Sequence, residues 1–292
     1  MSTLESNIQQ VFDNLLPKIL ARHQESSQPV FLGITGLQGS GKSTWAASVV
    51  ELLRSHRLDT LAISLDDLYK THDGLIAQRV RHPGNKLYHT RGQPGTHDEQ
   101  LAAQFFKDIR GQKFPLSVPS FDKSKFNGGG DRAPPSHWPM INSQPDVIVF
   151  EGWCVGFQPL TAFEVEQRLN QALVLSINSL AKHPLKHLLE LNENLKNYCS
   201  AFMGPQHFDF IIHIDTDNLR NVYTWRLQQE HRLIKEKGIG MTDEEVVAFI
   251  EGYMPGYELY LDKLRKGFFN ERGRQVRVLL DKERRIESLE EL

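Results

Sequence analysis

Only two cysteines, Cys154 and Cys199, occur in 292 residues, and they stand far apart without C-x-x-C spacing. That scarcity argues against a disulfide framework, a zinc site or a redox motif. An excess of either charge is lacking too: 34 Lys and Arg face 36 Asp and Glu, for a formal net charge of -2. A chain so balanced has no electrostatic reason to bind nucleic acid. No apolar run approaches the ~18 residues needed to span a bilayer. Met1 to Leu20 has neither a signal-type apolar stretch nor an Arg-rich transit pattern. Together these absences predict a reducing, cytoplasmic setting, with no membrane and no nucleic-acid partner.

What is present is globular composition, 39% hydrophobic and 24% charged, enough to bury a large core in a single enlarged domain over 1–292. Met1 to Leu20 reads as an amphipathic helix. Five short apolar runs stand out: Val30 to Thr35, Thr60 to Leu65, Val147 to Phe150, Phe210 to Ile214 and Val276 to Leu280. Near-continuous apolarity is the mark of strands buried on both faces of a parallel sheet. Between the first two, Ser43 to Arg54 carries Trp45, Val49, Leu52 and Leu53 at roughly helical spacing and supplies a crossover helix. The expected fold class is α/β, a doubly wound, mostly parallel sheet of about five strands flanked by helices.

Residues 73–145 are rich in Gly, Pro, His and Asn, including Gly128 to Gly130 and Pro134-Pro135. Such a segment is expected to carry little core and is read as a substrate-recognition insertion, in which only Leu101 to Ile109 has helical spacing. Phe163 to Asn197 reads as helix with a polar interruption near His183-Pro184. Thr242 to Tyr253 reads as a helix opened by a Thr242/Glu245 capping box. There Met241 and Val246 staple the entry, and Val247, Ile250 and Met254 form an apolar stripe.

The sharpest signal is Gly36-Leu-Gln-Gly39-Ser40-Gly41-Lys42-Ser43, which matches G-x-x-x-x-G-K-[ST] in full between a strand and a helix. Its glycines let the backbone curl into an anion nest at the positive end of the following helix. ATP with Mg²⁺ is the expected occupant. Lys42 reaches the β- and γ-phosphates, Ser43 ligates the magnesium, and Thr44 lies near the α-phosphate. Parallel sheets gather their sites at the carboxyl ends of strands. Asp66 and Asp67 follow the second apolar run and Glu151 the third. Transfer to an alcohol needs a carboxylate to take the hydroxyl proton and an acidic group beside the metal, which suits Asp66 and Glu151 in that order. Capping the next helix is the alternative for either aspartate, and it suits Asp67 better.

The order of motifs then becomes recognisable. Phosphate loop, S-L-D-D-L-Y, a His-Asp segment, V-P-S-F-D, F-E-G and a late arginine helix resemble the uridine kinase, phosphoribulokinase and pantothenate kinase group of P-loop kinases. More specific are Arg91-Gly-Gln-Pro-Gly-Thr-His97-Asp98, Phe121-Asp122-Lys123-Ser124, Gly130-Asp131-Arg132, Phe150-Glu-Gly-Trp153, Tyr223-Thr-Trp-Arg-Leu-Gln-Gln-Glu230 and Gly240-Met-Thr-Asp-Glu-Glu245. These are similar to plant-type D-glycerate 3-kinase and a related fungal kinase-like ATP-binding protein.

The resemblance implies that Asp66 is the catalytic base and Asp98 binds an acceptor hydroxyl. It places Arg132 on the substrate side, with His97 and Asp122 in the same substrate segment, and Arg226 on a lid over 217–240. Arg91, Lys123 and Arg132 are cations able to pair with an acceptor carboxylate, Arg bidentately, with a solvated surface charge as the alternative. For Arg226 the alternative to a phosphate contact is an i, i+4 ion pair with Glu230 on an exposed helix. Trp153 and Trp225 suit either adenine stacking or core. The implied activity is ATP-dependent phosphorylation of a small acidic alcohol, D-glycerate first. A kinase for a nucleoside or pantothenate-like alcohol, or a nucleotide-hydrolysing switch, remain the other readings.

Overall fold

An unbroken apolar run buries on both faces, and Val30–Gly36 does so along its whole length as β1, the strand from which the sheet is registered. The structure, a computed structural model, describes residues 3–175 and 179–292. Strands β2 (Thr60–Ser64), β3 (Val147–Gly152), β4 (Phe210–Asp215) and β5 (Gln275–Leu280) follow the remaining apolar runs. A sixth, β6 (Ile286–Glu291), pairs antiparallel with β5 at one edge, and all other pairings within this sheet are parallel. The order is β6-β5-β4-β1-β3-β2. β6 escapes a search for apolar runs because Ile-Glu-Ser-Leu-Glu-Glu lies half in solvent.

Helices α1 (Thr3–Glu25) and α2 (Lys42–Ser55) precede β2. On α2, Trp45, Ala46, Val49, Val50 and Leu53 are buried, the periodicity that makes it a crossover. Then come α3 (His72–Arg81), α4 (Glu99–Arg110), α5 (Ala162–Leu175), α6 (Leu185–Tyr198), α7 (Arg220–Lys237), α8 (Asp243–Glu251) and α9 (Met254–Arg265). Of the stretch expected to be helical over Phe163 to Asn197, residues 176–178 lie outside the described residues, as do Met1 and Ser2 of the first helix. The capping box forms as the sequence suggests: Thr242 accepts from the Glu245 N–H, and Glu245 from the Thr242 N–H. Val247 is the exception in that stripe, being 39% exposed.

The polar insertion departs from expectation. Leu87, Tyr88, Phe105, Phe106, Val118 and Phe121 are buried within it, and so are the polar Gln93, Thr96 and His97. Its irregular backbone tolerates burial because side chains from distant elements satisfy it. The Tyr198 hydroxyl accepts from the N–H groups of Gly95 (2.7 Å) and His97 (2.9 Å), and Trp153 Nε1 donates to the Gly92 carbonyl at 2.9 Å. Composition alone hides this, since it counts polar residues without their partners.

The carboxyl end of β4 is tied down by a buried ion cluster. Asp215 is fully buried and takes Arg265 Nε and Arg277 Nε at 2.7 and 2.8 Å. Burial would push its carboxyl up, but the paired arginines outweigh that and bring it to about 2. Its contribution is therefore present above the ordinary carboxylate range and lost as pH falls toward 2. Asp215→Asn is expected to lower stability by roughly 3 kcal/mol, because both guanidiniums lose their buried counter-charge. Chemical denaturation at pH 7 measures it, and an unchanged midpoint would refute it.

Candidate active site

The chain runs from β1 to β2, returns to place β3 between them, and then crosses to β4 on the far side of β1. That crossover makes the carboxyl end of β1 a topological switch point, the place where open parallel sheets hold ligands. Gly36 through Gly41 leaves β1 there and turns into α2. Gly39 (φ 77°) and Gly41 (φ 93°) occupy the left-handed region that glycine takes without strain. A Cβ on Gly39 would come within 2.9 Å of Trp225 and the Arg226 nitrogen, so α7 lies directly against the loop. Gly41 is the N-cap of α2 and offers no side-chain acceptor, and no acidic residue stands in the first turn. The helix dipole and its first N–H groups are thus left for an anion.

Two further features suit a phosphate. Ser40 Oγ is buried, with no hydrogen-bond partner among the described residues, and Ser43 and Thr44 are exposed at the mouth of α2. Lys42 Nζ donates to the Leu37 carbonyl at 3.3 Å. Burial pulls the Lys42 ammonium below the usual lysine range, while Glu151 and Asp66 draw it back up, so both carboxylates flank it. Glu151 is opposite Ile34 on one side and Ser64 on the other, and Ser64 Oγ donates to Glu151 Oε1 at 2.6 Å. Among the described residues no three His, Cys, Asp or Glu side chains gather to hold a metal. A magnesium beside Ser43 and Glu151 would therefore take most of its ligands from phosphate and water, the usual arrangement for that ion.

Asp66 sits in a single 3-10 turn, Leu65–Leu68, capped by Ser64. Asp67 closes the capping box, accepting from the Ser64 N–H at 3.3 Å, whereas Asp66 points elsewhere. Asp66 Oδ1 accepts from the Tyr69 hydroxyl at 2.9 Å and Oδ2 from Lys123 Nζ at 2.5 Å. Burial would raise its carboxyl, but Lys123 and Tyr69 outweigh that and hold it below the usual carboxylate range. Asp66 is thus ionised at neutral pH and able to accept a proton.

Tyr69 is the hub of the contacts beside Asp66. Its ring stacks on His97 at 4.3 Å and meets Phe121 edge-on at 5.2 Å, and its carbonyl accepts from Arg132 NH2 at 2.9 Å. Arg132 NH2 also donates to Asp98 Oδ2 at 2.8 Å, while its Nε is buried without a partner among the described residues. Asp98 caps α4 through Oδ1 and the Leu101 N–H, so it is already occupied on both oxygens. Arg91 NH1 serves the Gly128 and Gly129 carbonyls and leaves further N–H donors on its fork. His97 is fully buried, its ring bonded to the Tyr198 hydroxyl at 3.0 Å and pushed down to about 3 by burial, so it is neutral. Asp122 accepts from the Ser124 N–H and hydroxyl, a turn-forming arrangement.

Arg226 does pair with Glu230, at 2.5 Å, but not on an exposed helix: their side chains are 14% and 3% exposed. The guanidinium also lies over the Phe249 ring at 5.3 Å. Both tryptophans are core, Trp225 donating to the Lys282 carbonyl as Trp153 does to Gly92.

The chain is similar in sequence and fold to known proteins. No protein-family model matches the chain. It is 35% identical over 261 residues to the uncharacterized kinase mug58 of Schizosaccharomyces pombe, covering 89% of this chain and 91% of that one. The solved structure of D-glycerate 3-kinase from Cryptococcus neoformans superposes with a TM-score of 0.88 at 33% identity, over 98% of this chain and 99% of the other. The chain belongs to the D-glycerate 3-kinase family of P-loop kinases. A chloroplastic D-glycerate 3-kinase of Arabidopsis thaliana is 33% identical over 239 residues, which are 81% of this chain and 48% of that longer protein.

Within this kinase, several site contacts were not anticipated from the sequence. Lys123, read there as a cation for an acceptor carboxylate or as a solvated surface charge, is folded onto Asp66 by the 121–122/131–132 ribbon. Tyr69 stands three residues after Asp66, within the motif but without a stated role. Tyr257, whose hydroxyl accepts from the Gln38 N–H at 3.0 Å, and Arg284, which donates to the Gly39 carbonyl at 2.8 Å, reach the phosphate loop from the far end of the chain.

Proposed function

We propose that this kinase transfers the γ-phosphoryl group of ATP, bound with Mg²⁺, to the 3-hydroxyl of D-glycerate in the cytoplasm. The observation that carries the reading is Asp66, ionised and half-buried beside Lys42, with Arg91 and Arg132 both gathered around the neighbouring Tyr69. Similarity to the Cryptococcus and Arabidopsis D-glycerate 3-kinases favours glycerate over other alcohols. Magnesium would shield the phosphate charge and orient the transferring group.

In the reaction Asp66 accepts the hydroxyl proton as the acceptor oxygen bonds to phosphorus and the bond to the ADP oxygen breaks. Lys123, 57% exposed in its side chain, is free to swing off Asp66 toward solvent when the hydroxyl arrives. Lys42 and Arg226 face the charge that develops on the transferring oxygens. Arg91 and Arg132 hold the carboxylate of the acid.

The test compares D-glycerate, glycerol and uridine as acceptors for the parent, Arg91→Ala and Arg132→Ala proteins. Each substitution is expected to raise the glycerate KM by the equivalent of about 1.5–3 kcal/mol, the worth of a hydrogen bond to a charged group. The KM for ATP should barely move. Glycerol, lacking the carboxylate, should be a poor acceptor for the parent and lose nothing further. Turnover of uridine without turnover of glycerate would overturn the assignment of the acid.

A further inference from the structure

Arg284 occupies the turn between β5 and β6 with φ 63°, a left-handed conformation that a non-glycine side chain adopts at a cost. Its guanidinium gathers three acceptors from two separate parts of the site. Nε donates to the Gly39 carbonyl at 2.8 Å, NH1 to Gln228 Oε1 at 2.7 Å and NH2 to the Trp225 carbonyl at 3.0 Å. The charge also lies over the Trp225 ring at 5.5 Å, and Trp225 Nε1 returns a bond to the neighbouring Lys282 carbonyl at 2.7 Å. All three acceptors are neutral, and among the described residues no carboxylate stands within ion-pair distance of Arg284. The positive charge therefore remains uncompensated at the phosphate loop.

We propose that Arg284 is a positioning residue that fixes the phosphate loop and the lid helix α7 to one another, and so sets Arg226 against the triphosphate. Two geometric facts support this. A carbonyl turned into the nest would repel phosphate, and the Gly39 carbonyl is instead engaged by Arg284 Nε at 2.8 Å. Trp225 precedes Arg226 on α7, so the same fork that fixes Gly39 fixes the backbone from which Arg226 projects. A planar guanidinium spans three acceptors in fixed relation, which an ammonium cannot do. The inference rests on the loop binding nucleotide, but not on which acid is phosphorylated.

The test uses the full chain with Arg284→Gly, Arg284→Lys, Arg226→Ala and the Arg284→Gly/Arg226→Ala double variant. Affinity for a non-hydrolysable ATP analogue with magnesium is measured by calorimetry, beside kcat with D-glycerate. Glycine relieves the left-handed backbone while deleting the side chain, so it separates a turn-forming role from a positioning one. Arg284→Gly is expected to keep its melting temperature, to bind the analogue more weakly, and to lose ~100-fold in kcat/KM, the scale of a small misplacement of a reacting group. Arg284→Lys should recover part of the analogue affinity, through charge, but little of kcat. In the Arg226→Ala background, Arg284→Gly should cost much less in kcat than it does alone, because residues acting through one another are not additive. An equal cost in both backgrounds, or unchanged analogue affinity and kcat in Arg284→Gly, would overturn the proposal. If glycerate is not the acceptor, the analogue affinities still decide it.

Discussion

Lys42→Ala is expected to abolish phosphoryl transfer, lowering kcat by at least ~1,000-fold, because it deletes the cation proposed to meet the β- and γ-phosphates. The fold should not suffer. Lys42 is held below the usual lysine range by burial in spite of Glu151 and Asp66, so the folded state tolerates its charge rather than gaining from it. Its hydrogen bond to the Leu37 carbonyl, at 3.3 Å, is long. The melting temperature without nucleotide is therefore expected to hold or rise slightly. The stabilisation that saturating ATP confers on the parent should be much reduced in the variant. Near-parental turnover would remove the phosphate-loop assignment, and a collapse of the apo melting temperature would show that the ammonium supports the loop rather than the ligand.

Asp66→Asn is expected to lower kcat by at least ~100-fold while leaving nucleotide affinity near the parental value, as a positioned general base requires. Asparagine keeps an acceptor for the Tyr69 hydroxyl, so the local shape survives. Asp67→Asn should be far milder, because an amide oxygen can still cap the Ser64 N–H. Since Lys123 and Tyr69 hold Asp66 below the ordinary carboxylate range in the free enzyme against the upward push of burial, the loss of kcat/KM as Asp66 gains its proton lies below that range. An acid limb at higher pH would belong to another group. Equal losses in the two variants, or a loss of nucleotide affinity in Asp66→Asn alone, would mean the base is misassigned.

Much of the chemistry was legible in local sequence because it is local in space. The phosphate nest is one strand, one turn and one helix start, so Gly36 to Thr44 carries its glycines, lysine and hydroxyls within a single motif. The capping box at Thr242 and Glu245 is of the same kind, as are the parallel strands: a run buried on both faces leaves its own mark wherever it stands. Asp66 and Glu151 could be placed because a strand end is a direction as well as a position.

What the sequence could not determine is what arrives from elsewhere. His97 looked like a loop histidine and is a buried, neutral ring clasped by Tyr198 from α6. Asp98, expected at an acceptor hydroxyl, spends one oxygen on capping α4 and the other on Arg132. Lys123 became the partner of Asp66, and Arg226 and Glu230 became a buried pair under α8. The local sequence around each is compatible with solvent. His97, Lys123 and the Asp98–Arg132 bond were settled by contacts between residues far apart in the chain, and the i, i+4 pair of Arg226 and Glu230 by the packing of Phe249 over it. Arg284 is the limiting case, a charged residue in a terminal hairpin whose bonds to Gly39 and Trp225 exist only once the sheet has brought β5 beside β4 and the hairpin over the phosphate loop.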